Sequence, residues 1–325
     1  MFPDDLWIAS PSQDLLYKYS NLTQQGAYTT EDNPSSVWVS QDKVTVYVAN
    51  KGANTISIFR NGARMNDIMV GNQPWCVCED INGIVYCTNY LDNTVSRIEN
   101  GKVTATIQVD RGPRGICVDG DNSLWVSCFL DNTVCKVVND RNVKSIEVAQ
   151  NPQGICCDVW DNIWVACYGS NVVSKITNSI KELDILVGQG PVSVATDYNG
   201  VLCVCNYLGN NVAIVDTTSS KLNVTHIDIS LGPDSVSVDS QNNFWVTAGN
   251  GSHIYQVSNN AVVGTINSCP NPTGYGDATG CQIYNILGRK ATSASNKNYD
   301  AQIRSLQQQL QLLSNRVTEL EKRVK

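Results

Sequence analysis

The chain has 325 residues, 30 acidic and 23 basic side chains, and a net charge of −7. That balance lacks the basic surface a phosphate backbone attracts, so nucleic acid is not an expected partner. No stretch approaches the roughly 18 apolar residues of a membrane helix, so no membrane insertion is expected.

The first ten residues, MFPDDLWIAS, carry acids where an export signal needs basic residues, so folding in a cytosol is expected. From there the chain follows one rule. Pro34, Pro74, Pro113, Pro152, Pro191, Pro233 and Pro272 are separated by 40, 39, 39, 39, 42 and 39 residues. A second ladder, Trp7, Tyr47, Tyr86, Trp125, Trp164, Cys203 and Trp245, steps by 40, 39, 39, 39, 39 and 42. A fixed period of this length marks a repeat architecture. Residues 4–20 match the second and third strands of a unit, so the chain starts inside one. Residues 34–73 give the first whole unit, with the β-type runs SSVWVS, VTVYVAN, NTISIFR and MNDIMVG. Five more units follow, rich in Val, Ile, Thr and aromatics and punctuated by Asn, Asp and Gly turns. Pro272 opens a last innermost strand with nothing after it.

Four-stranded units in tandem predict an all-β, seven-bladed β-propeller over residues 1–281. Six units are whole and the seventh is split between the termini. Pairing residues 273–279 with residues 5–10 would close the ring through hydrogen bonds and leave no open edge. Four residues after each proline stand Trp38, Cys78, Cys117, Cys156, Ala195, Ser237 and Gly276. Small residues suit a crowded axis, so the exception, Trp38, is expected in or across the central channel, or else packed between blades.

Residues 282–299 are polar and linker-like. Residues 300–325 change to a heptad seam: Ile303, Leu310, Val317 and Val324 at a, Leu306, Leu313 and Leu320 at d. A lone helix of this length is marginal in water, so self-association is expected. Arg316 at g and Glu321 at the following e resemble the Arg-h-x-x-h-Glu pattern of parallel trimeric coiled coils. They favour a parallel homotrimer, with a dimer as the alternative.

The thirteen cysteines form no Cys-X-X-Cys pair. Most recur at equivalent strand positions and read as small core residues. A Cys269–Cys281 disulfide is the first alternative, and no metal or cofactor is expected. Asp80, Asp119, Asp158, Asp197 and Asp239 stand six residues after their prolines, each before an Asn/Gly turn that such side chains cap. Asn54, Asn93, Asn132, Asn171 and Asn211 read likewise as turn and blade-locking groups. Tyr90, Phe129, Tyr168 and Tyr207 follow the second strand of successive units. Their loop is expected to share a face with the loops leading into the blades, which carry Arg111 and Arg114. Rings with guanidinium groups around a mouth suit sugar or peptide recognition, although the rings also suit packing between blades.

At YCTNYLDNTVSRI, VYVANKGANTISIF and LCVCNYLGNNVAIVDT the chain resembles the YVTN family of propeller repeats over residues 1–280. That family is related in architecture to NHL-type propellers and virginiamycin B lyase. A lyase of that type implies a His/Glu set with a metal at the channel mouth. Only His226 and His253 are present, and no counterpart of the signature is visible. Propeller plus terminal coil is similar in architecture to a bacteriophage fibre. The expected function is therefore a non-enzymatic, trimeric virion appendage that binds other virion proteins and a host-surface glycan or protein. The alternatives are a structural virion component, a propeller enzyme (lyase or glycan hydrolase), and a cellular scaffold or surface-layer propeller.

Overall fold

A computed structural model describes residues 5–219, 222–267, 269–274 and 276–279. The linker and every heptad residue, 282–325, lie outside the described residues, as does Cys281.

Seven antiparallel sheets follow one another along the chain. Blade 3 is representative, with strands Pro113–Val118, Leu124–Cys128, Thr133–Val138 and Arg141–Glu147 paired in sequence order. The inner strands carry apolar residues on both faces, because there every sheet is covered by a neighbour on each side. The inner strands are almost wholly buried and the fourth strands largely exposed. Shared apolar clusters join consecutive blades. One combines Cys117, Trp125 and Val134 of blade 3 with Ile155, Ile163 and Val165 of blade 4.

The seventh blade is the split one. Leu6–Ser10, Leu15–Ser20 and Thr23–Thr29 form a three-stranded sheet. Thr273 pairs with Ala9, each donating its N–H to the other's carbonyl at 2.9 Å, and the Trp7 N–H donates to the Ala278 carbonyl at 3.0 Å. The expected closure of 273–279 onto 5–10 is present. The Val39 N–H also donates to the Asp277 carbonyl at 2.9 Å, tying the closing segment to blade 1.

Turn chemistry sets the period. Asn54, Asn93, Asn132 and Asn171 adopt positive φ between the second and third strands, a conformation Asn tolerates. The side-chain oxygen of each accepts the backbone N–H of the residue before the next marker proline: Gln73, Gly112, Asn151 and Gly190, at 2.8–2.9 Å. In blade 5 this duty falls to Asn210 and not to Asn211. Asn210 stands 19 residues after Pro191, as Asn93, Asn132 and Asn171 do after their prolines, and the extra length of this unit enters after it.

The carboxylates six residues after the prolines cap the turns between first and second strands, as the sequence indicates. Asp119, Asp158 and Asp239 each also accept a hydrogen bond from the indole of their blade, Trp125, Trp164 or Trp245, at 2.8–2.9 Å.

Candidate functional site

The axis offers little room. A cavity of about 40 Å³ runs beside the innermost strands, space for a few waters at most. Crowding is tight two residues after Pro113 and Pro152. A Cβ on Gly115 would come within 2.4 Å of the Gln153 carbonyl oxygen, and one on Gly154 within 2.6 Å of Ser193 Cα. Trp38 does not line this cavity. It is 3% exposed, sits across from Tyr47 and lies against the Glu79 carboxyl. The sheets stand edge-on to the axis, so innermost side chains turn toward neighbouring blades and a large one packs there. Cys117 and Cys156, meant for the axis by the same reasoning, belong to clusters between blades.

The mouth is different. The first residues after the marker prolines, Ser35, Trp75, Arg114, Gln153, Val192, Asp234 and Thr273, follow one another around it. Ser35 Oγ donates to the Trp75 carbonyl at 3.2 Å and Thr273 Oγ1 to Asp234 at 2.9 Å. The loop between second and third strands shares this face: the Tyr90 N–H donates to the Gln73 carbonyl at 3.0 Å, and the Phe129 N–H to Gly112 at 2.9 Å.

Three blades build one stack here. The Arg114 guanidinium lies 3.6 Å from the centre of Phe129, 4.3 Å from Trp75 and 5.2 Å from Tyr90. Trp75 and Tyr90 are 5.4 Å apart, and Lys51 Nζ stands 3.8 Å from the Trp75 ring. Each half-buried cation–ring contact stabilises by about 0.5–2 kcal/mol. The backbone of Arg114 is fixed too, its carbonyl accepting the Thr88 hydroxyl at 2.7 Å. Burial, then the like charge of Arg114, pushes the Lys51 ammonium below its usual range, while Asp234 opposes the shift. Two cations are thus held close together in a partly dry mouth, a setting that favours a bound anion.

Of the six residues singled out from the sequence, Tyr90, Phe129 and Arg114 come together. Arg111 does not join them; it pairs with Asp131 through Nε at 2.8 Å on the exposed rim. Tyr168 and Tyr207 pack against the core shared by blades 5 and 6. Tyr168 also lies against Gly190, and the Tyr207 hydroxyl accepts a hydrogen bond from Asn250 at 3.0 Å. Trp75 and Lys51 were missed. For Trp75 the signal was available in the residues after the marker prolines, where only blades 2 and 3 put a large aromatic or cationic residue, and Lys51 follows its second strand as Tyr90 does.

His226 stands on the fourth strand of blade 5 with Nε2 2.6 Å from the Val187 carbonyl, and His253 stacks on Tyr255. Among the described residues no three of His, Cys, Asp and Glu cluster as a metal site would require. The twelve cysteines among the described residues are all buried, and none is in a disulfide.

Residues 21–276 match the model of the virginiamycin B lyase family. The chain belongs to the virginiamycin B lyase family. It is similar to the selenomethionine form of virginiamycin B lyase from Staphylococcus aureus, at 19% identity over 70% of this chain and 82% of that one, with a TM-score of 0.65. A catalytically inactive histidine-to-alanine variant of that enzyme with quinupristin gives 19% identity, 74% and 87% coverage, and a TM-score of 0.67. Hydrazine synthase of Kuenenia stuttgartiensis gives 17%, 79% and 93%, and 0.71. At these identities the likeness is one of fold. No curated protein matches the chain. Family membership corrects the expectation of a non-enzymatic protein: the family is that of a lyase, and enzymes stand among the chain's structural neighbours.

Proposed function

We propose that this propeller of the lyase family seats its ligand at the loop-face mouth, on Lys51, Trp75, Arg114, Tyr90 and Phe129, and that the ligand carries an anionic group. The carrying observation is the Arg114 guanidinium fixed between Phe129 and Trp75, with Lys51 on the same indole. Stacking sets the plane of a guanidinium, and an oriented guanidinium suits carboxylate or sulfate. Acidic oligosaccharides are the first probes, with neutral ones of the same length as controls. Calorimetry is expected to show preference for the acidic set and a loss of tenfold or more on Arg114→Ala. Equal binding of both sets, or no change in the variant, would refute the assignment. Quinupristin, the compound held by the inactive S. aureus enzyme, is the second probe; its disappearance with time would register turnover.

The heptads of residues 303–324 support a finer reading, in which three copies of the mouth face a host-surface glycan or protein as a virion appendage. Three linked sites can exceed one by ~10²–10⁴. A solution mass near three chains is expected from light scattering, and a stable monomer would remove this reading.

A further inference from the structure

In each blade the last residue of the second strand and the third residue of the third strand are diagonal neighbours. Blades 1 and 2 fill the pair with Asn50–Ser57 and Asn89–Ser96, hydrogen-bonded at 2.8 and 2.9 Å. Blade 4 uses Cys167–Ser174, at 3.4 Å. Blade 3 alone puts sulfur at both places: Cys128 and Cys135, Sγ to Sγ 3.6 Å.

Cys135 has further partners. Its sulfur lies 3.4 Å from the Asp110 N–H, 3.3 Å from Asn142 Nδ2 and 3.7 Å from the Ser145 hydroxyl. Donors aimed at sulfur favour the thiolate, the form that reacts. The Cys128 hydrogen bond is the largest of these effects and holds the Cys135 thiol below its usual range against burial and the nearby Asp110 carboxylate. Thr133 shares the charge of that carboxylate by donating to it at 2.6 Å. Other core thiols are pushed the opposite way; burial raises Cys167 to about 11. Both sulfurs are buried, but Asp110 and Asn142 line an open cleft at the blade edge.

We propose that Cys128 and Cys135 are a redox modification site, at which hydrogen peroxide oxidises Cys135 and Cys128 closes an intrablade disulfide. The Cys135 thiolate attacks one peroxide oxygen, the O–O bond breaks, and hydroxide leaves with the electron pair, giving a sulfenic acid. The Cys128 sulfur then attacks the Cys135 sulfur, the S–O bond breaks, and water leaves with the thiol proton. Two thiols and one peroxide yield one disulfide and two waters. The sulfurs must close from 3.6 Å to about 2.05 Å, across strands already paired.

The full chain, reduced and then treated with peroxide, is to be read by mass spectrometry after alkylation. The expected result is loss of two hydrogens from the Gly115–Lys136 segment, reversed by dithiothreitol, with Cys167 still alkylated. Cys128→Ser is expected to stop at a sulfenic acid that dimedone traps on Cys135. Cys135→Ser recreates the Cys–Ser pair of blade 4, should fold, and is expected to leave Cys128 reduced. Persistence of both thiols in the parent chain while Cys167 is consumed would overturn the proposal. So would oxidation of Cys128 at the parental rate in Cys135→Ser.

Discussion

Asp158 is fully buried and gathers four donors. Oδ1 accepts the N–H groups of Trp160 at 2.8 Å and Asn162 at 3.0 Å; Oδ2 accepts Asn162 Nδ2 at 2.9 Å and Trp164 Nε1 at 2.8 Å. Trp164 is 1% exposed. Asp158→Ala would leave that indole N–H, the Asn162 side-chain amide and the Asn162 backbone N–H without their acceptor, away from water, and the part-buried Trp160 N–H as well. One buried orphaned donor costs about 1–3 kcal/mol, and bonds to a charged acceptor exceed neutral ones. Non-additivity within one network keeps the total near ~4 kcal/mol. At about 2–4 °C per kcal/mol for a body of this size, the melting temperature should fall by roughly 8–16 °C. Asp158→Asn keeps one acceptor oxygen and should cost about half as much. Calorimetry of both variants is the assay. A fall under about 2 °C for the alanine variant, or equal falls for both, would refute the claim that this carboxylate anchors its blade.

Glu79 tests the electrostatics. Burial raises its carboxyl above the usual 4.5, despite hydrogen bonds from the Gln41 N–H and the Ser40 hydroxyl, each at 2.9 Å. The folded state therefore holds this proton more tightly than the unfolded chain, and stability falls as pH rises from the unfolded value through the raised one. Glu79→Gln should flatten that slope and gain stability at neutral pH; urea midpoints from pH 4 to 8 with unchanged slope would count against it. Gly154→Ala puts a methyl 2.6 Å from Ser193 Cα at the axis and should cost about 1–3 kcal/mol; an unmoved urea midpoint would show that the axis yields. Truncation after residue 299 should leave a monomeric, folded propeller by light scattering and circular dichroism, and a surviving trimer would refute the heptad assignment.

The architecture was legible because a repeat states its constraints seven times. The proline ladder, the positive-φ asparagines and the capping aspartates each serve a local turn, and local turns are written in local sequence. The split seventh blade followed from the same arithmetic, since a unit lacking strands at one end must find them at the other. The blade 5 asparagine was misplaced by one residue although the 39-residue step from Asn171 points to Asn210, because two adjacent asparagines stand there.

The site was legible only in part. Sequence order brought Tyr90, Phe129 and Arg114 forward as repeat-equivalent or loop residues, but it treated Tyr168 and Tyr207 as their equals. Equivalent positions share a backbone, whereas their neighbours around the ring are set by residues about 40 positions away. Arg114 finds Trp75 from the preceding blade, so Tyr90 and Phe129 border a cationic stack. Tyr168 and Tyr207 meet glycines and an aliphatic core, so they pack. Trp38 misled for a related reason: small neighbours in the alignment implied an axial place, but an edge-on sheet sends that side chain between blades. The chemical class was misjudged as non-enzymatic because single motifs were sought, whereas family membership is carried by the whole repeat pattern across residues 21–276.

The sequence by itself determined the number of blades and their turns, because these depend on interactions within about one period, and the closure of the ring, because the strands missing at one terminus stand at the other. Tertiary structure alone decided which side chains meet: across blades the cation–aromatic stack at the mouth, and within blades the buried Asp–Trp anchors and the facing sulfurs of Cys128 and Cys135. Those meetings depend on strand register within a sheet and on how twisted sheets pack face to face, and no spacing along the chain encodes those distances.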